Sequence, residues 1–481
     1  VSDPTKPPKP EERSVTTRDT TTIDGVVIPF TVTASTLHIR DDAGVERASI
    51  FSVAWVRDDG SAPVDRPVTF LFNGGPGSSA VWLQFGVFAP RRVDMPDTVA
   101  TPPAPYRLVD NPMGLLDQSD LVFVDPVGTG FSRAIDPSTD GAFHDVASDI
   151  DSVGRFILAW LSCHQRWASP KFVAGESYGT TRGAGLANWL AERGVHLNGL
   201  VLVSLATDFQ TFIFEPGNEV LPCVTYLPTF AAVAAYHGVV RPEGGLDAFL
   251  AEAERFAIEE YAPALLLGAR LPAERLDALA DRLAAFTGLD AAELRRRNLR
   301  IHPEWFPRAL LGAGHRTVGR LDGRYVGADL DANGVLMSRD PSYDAASGPY
   351  TAIVNDFLRR VVGWTTPDDY RVLSIAVNSG WRFQTAGRMG YVNTSEDLRK
   401  AMITGPHLHV LVQAGIYDLA TPYFSASYMI DQLGVPEELR RNVRLERYPA
   451  GHMMYFHPPS LRKMRADLVA FYQRATRVAE G

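Results

Sequence analysis

The pentapeptide Gly175-Glu176-Ser177-Tyr178-Gly179 stands between an apolar run, 171–174, and a stretch of small residues, 180–190. This is a G-x-S-x-G pattern in the context of a strand, a sharp turn and a helix. Such a turn lifts the serine hydroxyl above the end of a sheet. Glycines flank it because side chains there would strike the neighbouring strand and helix. Ser177 is therefore the candidate nucleophile. A serine hydroxyl attacks well only when a base takes its proton and an acid orients that base.

With this type of turn the chain order runs nucleophile, acid, base. His452 follows the last strand-like run directly, in Tyr448-Pro449-Ala450-Gly451-His452-Met453, and is the expected base. His457 lies deeper in the loop before the final helix, and His407 and His409 flank the start of a strand, at the wrong end of the sheet. The expected acid is Asp418, just past the apolar run 408–412, where Thr421-Pro422 then opens a helix. Asp431, further into that helix, reads as a solvated face residue. The oxyanion of an acyl-transfer intermediate needs backbone N–H donors. Tyr178, next to the nucleophile, supplies one. Gly75, in the turn Asn73-Gly74-Gly75-Pro76-Gly77-Ser78-Ser79 after the run 68–72, is the expected second.

The elements that must hold these residues are strand runs at 68–72, 120–124, 171–174, 199–204, 372–376, 408–412 and 443–448, alternating with helical patterns such as 146–167. Continuous apolar strands between helices predict an α/β fold: a mainly parallel central sheet covered on both faces. The β-branched stretch 15–56, broken by Asp24-Gly25 and 41–44, predicts an antiparallel meander leading into that sheet. The alternation breaks near 206, and Ala/Leu/Arg/Glu patterns fill 246–297. The expected organisation is a disordered tail at 1–14, a first sheet part at 15–207, a helical cap insertion at 208–369 and a second sheet part at 370–481.

At 481 residues the chain can bury a large core, and its 45% hydrophobic and 21% charged content is ordinary for a globular protein. A formal net charge of -9 argues against nucleic acid or an anionic membrane as the main partner. No run approaches the roughly 18 apolar residues that span a bilayer. Two cysteines, Cys163 and Cys223, leave room for one disulfide but no cysteine metal motif. The run 329–340 echoes a calcium loop, yet it ends on Asp340 rather than Glu and reads as a polar turn. The Gly128-Thr129-Gly130 turn lacks a phosphate-binding fingerprint. No cofactor or metal is expected. The chain opens on Val1, which reads as a mature or trimmed terminus; a periplasmic or secreted setting stands ahead of a cytoplasmic one, and oligomeric state is left open.

Five segments occur in one order: the Asn73 to Ser79 turn, Asp125-Pro126-Val127-Gly128-Thr129-Gly130-Phe131-Ser132, the Ser177 pentapeptide, Gly415 to Pro422 and Gly451-His452-Met453. Together they resemble the serine carboxypeptidase family, in a bacterial-type form without the disulfide set of eukaryotic members. The resemblance implies an α/β-hydrolase fold, a triad of Ser177, Asp418 and His452, and oxyanion donors at Gly75 and Tyr178. It also implies that Asn73, Gly74 and Glu176 hold the C-terminal carboxylate of a peptide, at mildly acidic pH where Glu176 is protonated. The chain departs from the family where a second glutamate is usual, since Val87 stands there, and Ser78 replaces the usual cysteine. The leading expectation is a serine carboxypeptidase acting through an acyl-enzyme. The alternatives are an esterase, amidase or acyltransferase on a small acyl substrate with the same triad, and a non-catalytic binding protein.

Overall fold

The computed structural model describes residues 10–60, 62–96, 98–214, 219–312, 315–331, 333–383 and 390–477. Its centre is one sheet. Strands β1 (Ser14–Ile23), β2 (Val26–Arg40) and β3 (Glu46–Arg57) form the antiparallel meander. β3 pairs antiparallel with β5 (Asp120–Val124), and from there the sheet is parallel through β4 (Val68–Phe72), β6 (Lys171–Glu176), β7 (Gly199–Val203), β8 (His409–Gly415) and β9 (Val443–Tyr448). The strand order is β1-β2-β3-β5-β4-β6-β7-β8-β9, and a two-residue strand at Arg133–Ala134 also pairs with β3. Parallel order with helical crossovers, together with the turns described below, makes this an α/β-hydrolase fold.

Both faces of the parallel strands are buried because successive side chains point to opposite sides. Val122, Val124, Val173, Leu200, Leu202, Val410 and Val412 join the core under α1 (Val146–Cys163) and α2 (Tyr178–Ala191). Their sequence neighbours Leu121, Phe123, Phe172, Ala174, Val201, Val203 and Leu411 join a second core under the C-terminal helix Pro458–Thr476. Asp145 starts α1 by accepting from Ser148 N at 2.9 Å, and the helix then presents Ile150, Val153, Phe156, Ile157 and Trp160 to the sheet. Each such side chain contributes about 1.5–3 kcal/mol by leaving water. Trp160 meets Phe70 edge-on at 5.4 Å. On the other face the Tyr472 ring packs at a tilt against Phe172, with centroids 4.4 Å apart, and its hydroxyl hydrogen-bonds with Thr69 Oγ1 at 2.7 Å.

Two sequence expectations are corrected and one question the sequence left open is answered. The run 372–376 is not a sheet strand: Leu373 makes an isolated bridge to Ser78, and a short helix, Ile375–Ser379, begins at once. The sheet has no slot for it, since β7 is already hydrogen-bonded to β8. The N-terminal stretch is tied down before residue 14: Glu12 accepts from His38 N at 2.7 Å, and Arg13 Nη1 donates to Thr365 O at 2.7 Å. Residues 1–9 of the expected tail lie outside the described residues. Cys163, exposed, and Cys223, buried, are both free thiols rather than a disulfide.

The stretch between β7 and β8 carries helices Leu221–Tyr236, Leu246–Phe256, Ala273–Thr287 and Pro341–Asp356. Within the run that echoes a calcium loop, Asp329 accepts from Ser338 N at 3.2 Å and Asp340 caps the helix Pro341–Asp356 through Ser342 N.

Candidate active site

Every expected site residue lies at or just beyond the carboxyl end of a parallel strand. Ser177 follows β6 with φ 60° and ψ −129°, and its N–H donates to Val203 O at 2.9 Å. Such a backbone is strained for a residue with a side chain. The glycines around it answer close approach: a Cβ at Gly175 would strike the Gly179 carbonyl, and one at Gly179 would lie 2.9 Å from Phe72 O. The Ser177 carbonyl accepts from Thr180 N and Thr180 Oγ1, at 2.8 and 2.7 Å, which starts α2.

His452 and Asp418 meet on loops after β9 and β8. The His452 Nδ1 to Asp418 Oδ2 distance is 2.7 Å, with both side chains buried. Asp418 Oδ1 accepts from Ala420 N at 2.7 Å and Thr421 N at 3.0 Å, while Thr421 Oγ1 donates to Oδ2 at 2.7 Å. Burial pulls the imidazole pKa down, but the charge and hydrogen bond of Asp418 outweigh it and hold His452 above its ordinary value. Asp418 thus leaves Nε2 as the ring nitrogen available for chemistry. The His452 loop is clamped from a distant part of the chain. Its N–H donates to Leu321 O at 2.6 Å, Gly451 N donates to Asp322 Oδ2 at 3.1 Å, and Ser204 Oγ donates to His452 O at 2.8 Å.

His457 is elsewhere: its Nδ1 pairs with Ser460 Oγ at 2.8 Å at the start of the final helix. His409 opens β8, at the amino end of the strand, and Asp431 pairs with Arg440.

The glycine turn after β4 lies against the nucleophile turn. A Cβ at Gly74 would sit 2.8 Å from Glu176 O and 2.9 Å from Gly179 N, and closer still to the Tyr178 amide. Gly75 adopts φ +102°, a region that favours glycine. The turn is held by Arg182, which donates to Asn73 O at 2.8 Å and pairs with buried Asp149, also at 2.8 Å. Asn73 Oδ1 accepts from Leu83 N at 3.1 Å, and its buried Nδ2 lies beside the Glu176 carboxyl without forming a well-aligned hydrogen bond. Glu176 is fully buried beside it. Burial pushes its carboxyl up to about 7, against the opposing charge of His452, a hydrogen bond from Tyr455 and the nearby Asn73 amide.

Ser177, Tyr178, Glu176, Asn73, Gly74, Gly75 and His452 all line one cleft of about 640 Å³. Asp418 lies buried behind His452. Aromatic and apolar residues from the stretch after β7, among them Phe209, Phe212, Phe214 and Tyr226, wall one side. Sequence reasoning did not single out Thr421, Arg182, Asp149, Tyr455 or the 321–322 clamp. Thr421 stood inside a quoted motif; the others meet the site only through long-range contacts that leave no local pattern.

Residues 52–240 match the family model described as serine carboxypeptidase, a span that carries the glycine turn and the nucleophile turn. That part of the chain is similar to the serine carboxypeptidase family. Among curated relatives, serine carboxypeptidase-like 33 of Arabidopsis thaliana is 26% identical over 164 residues, 31% of each chain. Serine carboxypeptidase-like 36 of the same plant is 30% identical over 142 residues, covering 29% of this chain and 26% of the relative. The alignments thus span less than a third of either relative. The crystal structure of Kex1(delta)p, a prohormone-processing carboxypeptidase from Saccharomyces cerevisiae, superposes with a TM-score of 0.58 at 16% identity. It covers 92% of this chain and 91% of the yeast one. That likeness extends the shared fold through β8 and β9, beyond the reach of the family model. Val87, where the serine carboxypeptidase pattern usually has a second glutamate, is fully buried in the turn Gln84–Phe88.

Proposed function

We propose that the chain is a serine carboxypeptidase that releases C-terminal residues through an acyl-enzyme. One observation carries the reading: the cleft that holds Ser177 and His452 also holds a buried carboxyl, Glu176, with the side-chain amide of Asn73 beside it as a second donor. A neutral carboxyl and an amide N–H₂ are donors suited to a substrate carboxylate, and an ionised Glu176 would repel one.

In the proposed reaction Ser177 Oγ bonds to the scissile carbonyl carbon while its proton passes to His452 Nε2. Asp418 holds the resulting imidazolium. The carbonyl electron pair moves onto oxygen and is met by the N–H groups of Gly75 and Tyr178. When the C–N bond breaks, the amine leaves with the proton from His452. Water then enters by the same route, giving its proton to His452, and frees the acid and Ser177.

The pH dependence has two opposed requirements. His452 must be neutral to act as base and Glu176 protonated to accept a carboxylate. A bound carboxylate raises the Glu176 pKa further by like-charge repulsion. Peptide acids are therefore cleaved best on the acidic side of about pH 7, where Glu176 titrates. Amides and esters do not lose activity as Glu176 ionises. The test is kcat/KM for a blocked dipeptide acid and its amide from about pH 4 to 8, with wild type and Glu176→Gln. The acid is preferred at low pH, the preference fades through neutrality, and Glu176→Gln flattens it. Equal efficiency on both at every pH refutes the reading. It would promote the second one, a small-molecule esterase, amidase or acyltransferase, which the apolar Val87 in place of a second acid keeps in play.

A further inference from the structure

Beside the proposed carboxylate site stands a hydroxyl to which neither the sequence pattern nor the proposed reaction gives a role. Tyr455 lies in the short turn Met454–Phe456, three residues after His452. Its buried hydroxyl donates to Glu176 Oε2 at 2.9 Å, across 279 residues of sequence. The ring has a made seat. A Cβ at Gly86 would run into it, so only glycine in the turn Gln84–Phe88 leaves room, and Phe456 meets it edge-on at 5.1 Å.

We propose that Tyr455 is a positioning residue: by donating to Oε2 it confines the acidic proton of Glu176 to Oε1, the oxygen left for a substrate carboxylate. The chemistry is simple. A phenol in this setting is a donor, because burial and the neighbouring carboxyl push its pKa well up. An oxygen that accepts this hydrogen bond is the poorer place for the carboxylic proton. Glu176 then presents O–H rather than C=O to the cleft, in line with the Asn73 amide. Without Tyr455 the proton could sit on either oxygen, and half of the arrangements would point a lone pair at the substrate. The other titratable groups that face Glu176 are His452 and Asp418, from the loops after β9 and β8, and Tyr350, from the helix Pro341–Asp356. His452 favours the ionised carboxylate, as Tyr455 does, while Asp418 opposes it.

The inference rests on the carboxylate-binding reading, but one measurement of it does not. The carboxyl band of Glu176, assigned by difference infrared spectra against Glu176→Gln, gives its titration midpoint in the full chain without substrate. Tyr455→Phe removes a donor to the ionised form, so the midpoint moves up by about 0.5 to 1 pH unit. At pH 5.5, Tyr455→Phe raises KM for the blocked dipeptide acid about three- to tenfold, with kcat and the amide KM held within twofold. In the Glu176→Gln background the same change has no further effect on the acid. An unmoved or lowered midpoint overturns the inference. So does an equal change for acid and amide, which is what lost packing would give. If wild type shows no preference for the acid, the function reading falls and the infrared midpoint alone decides the role of Tyr455. If Tyr455→Phe does not fold, Gly86→Ala displaces the ring without deleting the hydroxyl. It is expected to shift the midpoint in the same direction, and no shift there refutes the proposal.

Discussion

Gly74→Ala tests whether the two proposed oxyanion donors, Gly75 N–H and Tyr178 N–H, depend on the contact between their turns. Gly74 does not need positive φ, so alanine costs nothing in backbone conformation. The cost is steric and local. The added methyl would lie 2.8 Å from Glu176 O and 2.9 Å from Gly179 N, and nearer still to Tyr178 N, where ordinary contacts begin at 3.4 Å. All three obstacles are backbone, so no side chain can swing away, and the glycine turn must retreat by about 0.5–1 Å from the nucleophile turn. Overpacking of this kind costs roughly 1–3 kcal/mol of stability. The kinetic cost is larger. Gly75 rides on the retreating turn and Tyr178 on the fixed one, so the two N–H groups no longer converge on one oxygen. Loss of one oxyanion donor lowers kcat by about 10²–10³, and a displacement near 1 Å has a similar effect. We expect kcat on a chromogenic ester to fall about 10²-fold, with fluorophosphonate labelling of Ser177 slowed in proportion. Gly141→Ala, which meets nothing within 4 Å, is the control. A folded Gly74→Ala enzyme with kcat within threefold of wild type would show that the turns do not set the donor geometry.

Two further outcomes follow from the ionisable groups. His452→Ala should lower kcat on the same ester by about 10⁴ or more, whereas His457→Ala, whose ring is tied to Ser460, should stay within a few-fold; the reverse ranking would name the wrong base. Asp125, buried with its Oδ2 unpartnered among the described residues, is pushed up to about 7, chiefly by burial and against the Ala80 N–H. The folded chain therefore keeps a proton that the unfolded chain has released, and stability falls as pH rises between about 4 and 7, by up to about 1.4 kcal/mol per pH unit. Calorimetric melting from pH 5 to 8 should show a smaller decline for Asp125→Asn than for wild type, and parallel curves would refute the assignment.

What the sequence made legible was local. The strand-turn-helix around Ser177, the glycine turn after 68–72 and the loops carrying Asp418 and His452 each announce themselves within a dozen residues, because steric demands there are met by neighbours in the chain. The misread run 372–376 shows the limit. Val372-Leu373-Ser374-Ile375-Ala376 is as apolar as a strand, but a strand exists only where a neighbour is free to pair, and pairing is a property of the whole sheet. Tyr455 and Arg182 were hidden for the same reason. Each acts on a residue more than a hundred positions away, and a lone tyrosine or arginine carries no sign of its partner.

The grip of residues 320–324 on the loops beneath them has a consequence for anyone recombining such proteins. Leu419 N donates to Arg320 O at 3.0 Å, His452 N to Leu321 O at 2.6 Å, and Gly323 N to Tyr417 O at 2.9 Å. Arg324 ties Asp322 to Pro449 O. A few residues from the stretch between β7 and β8 thus splice the acid loop to the histidine loop. That stretch is not a module that can be exchanged whole to alter substrate preference. A chimera that imports the aromatic wall must retain the native 320–324 splice, or the transplanted specificity arrives on a scaffold whose histidine has lost its anchor.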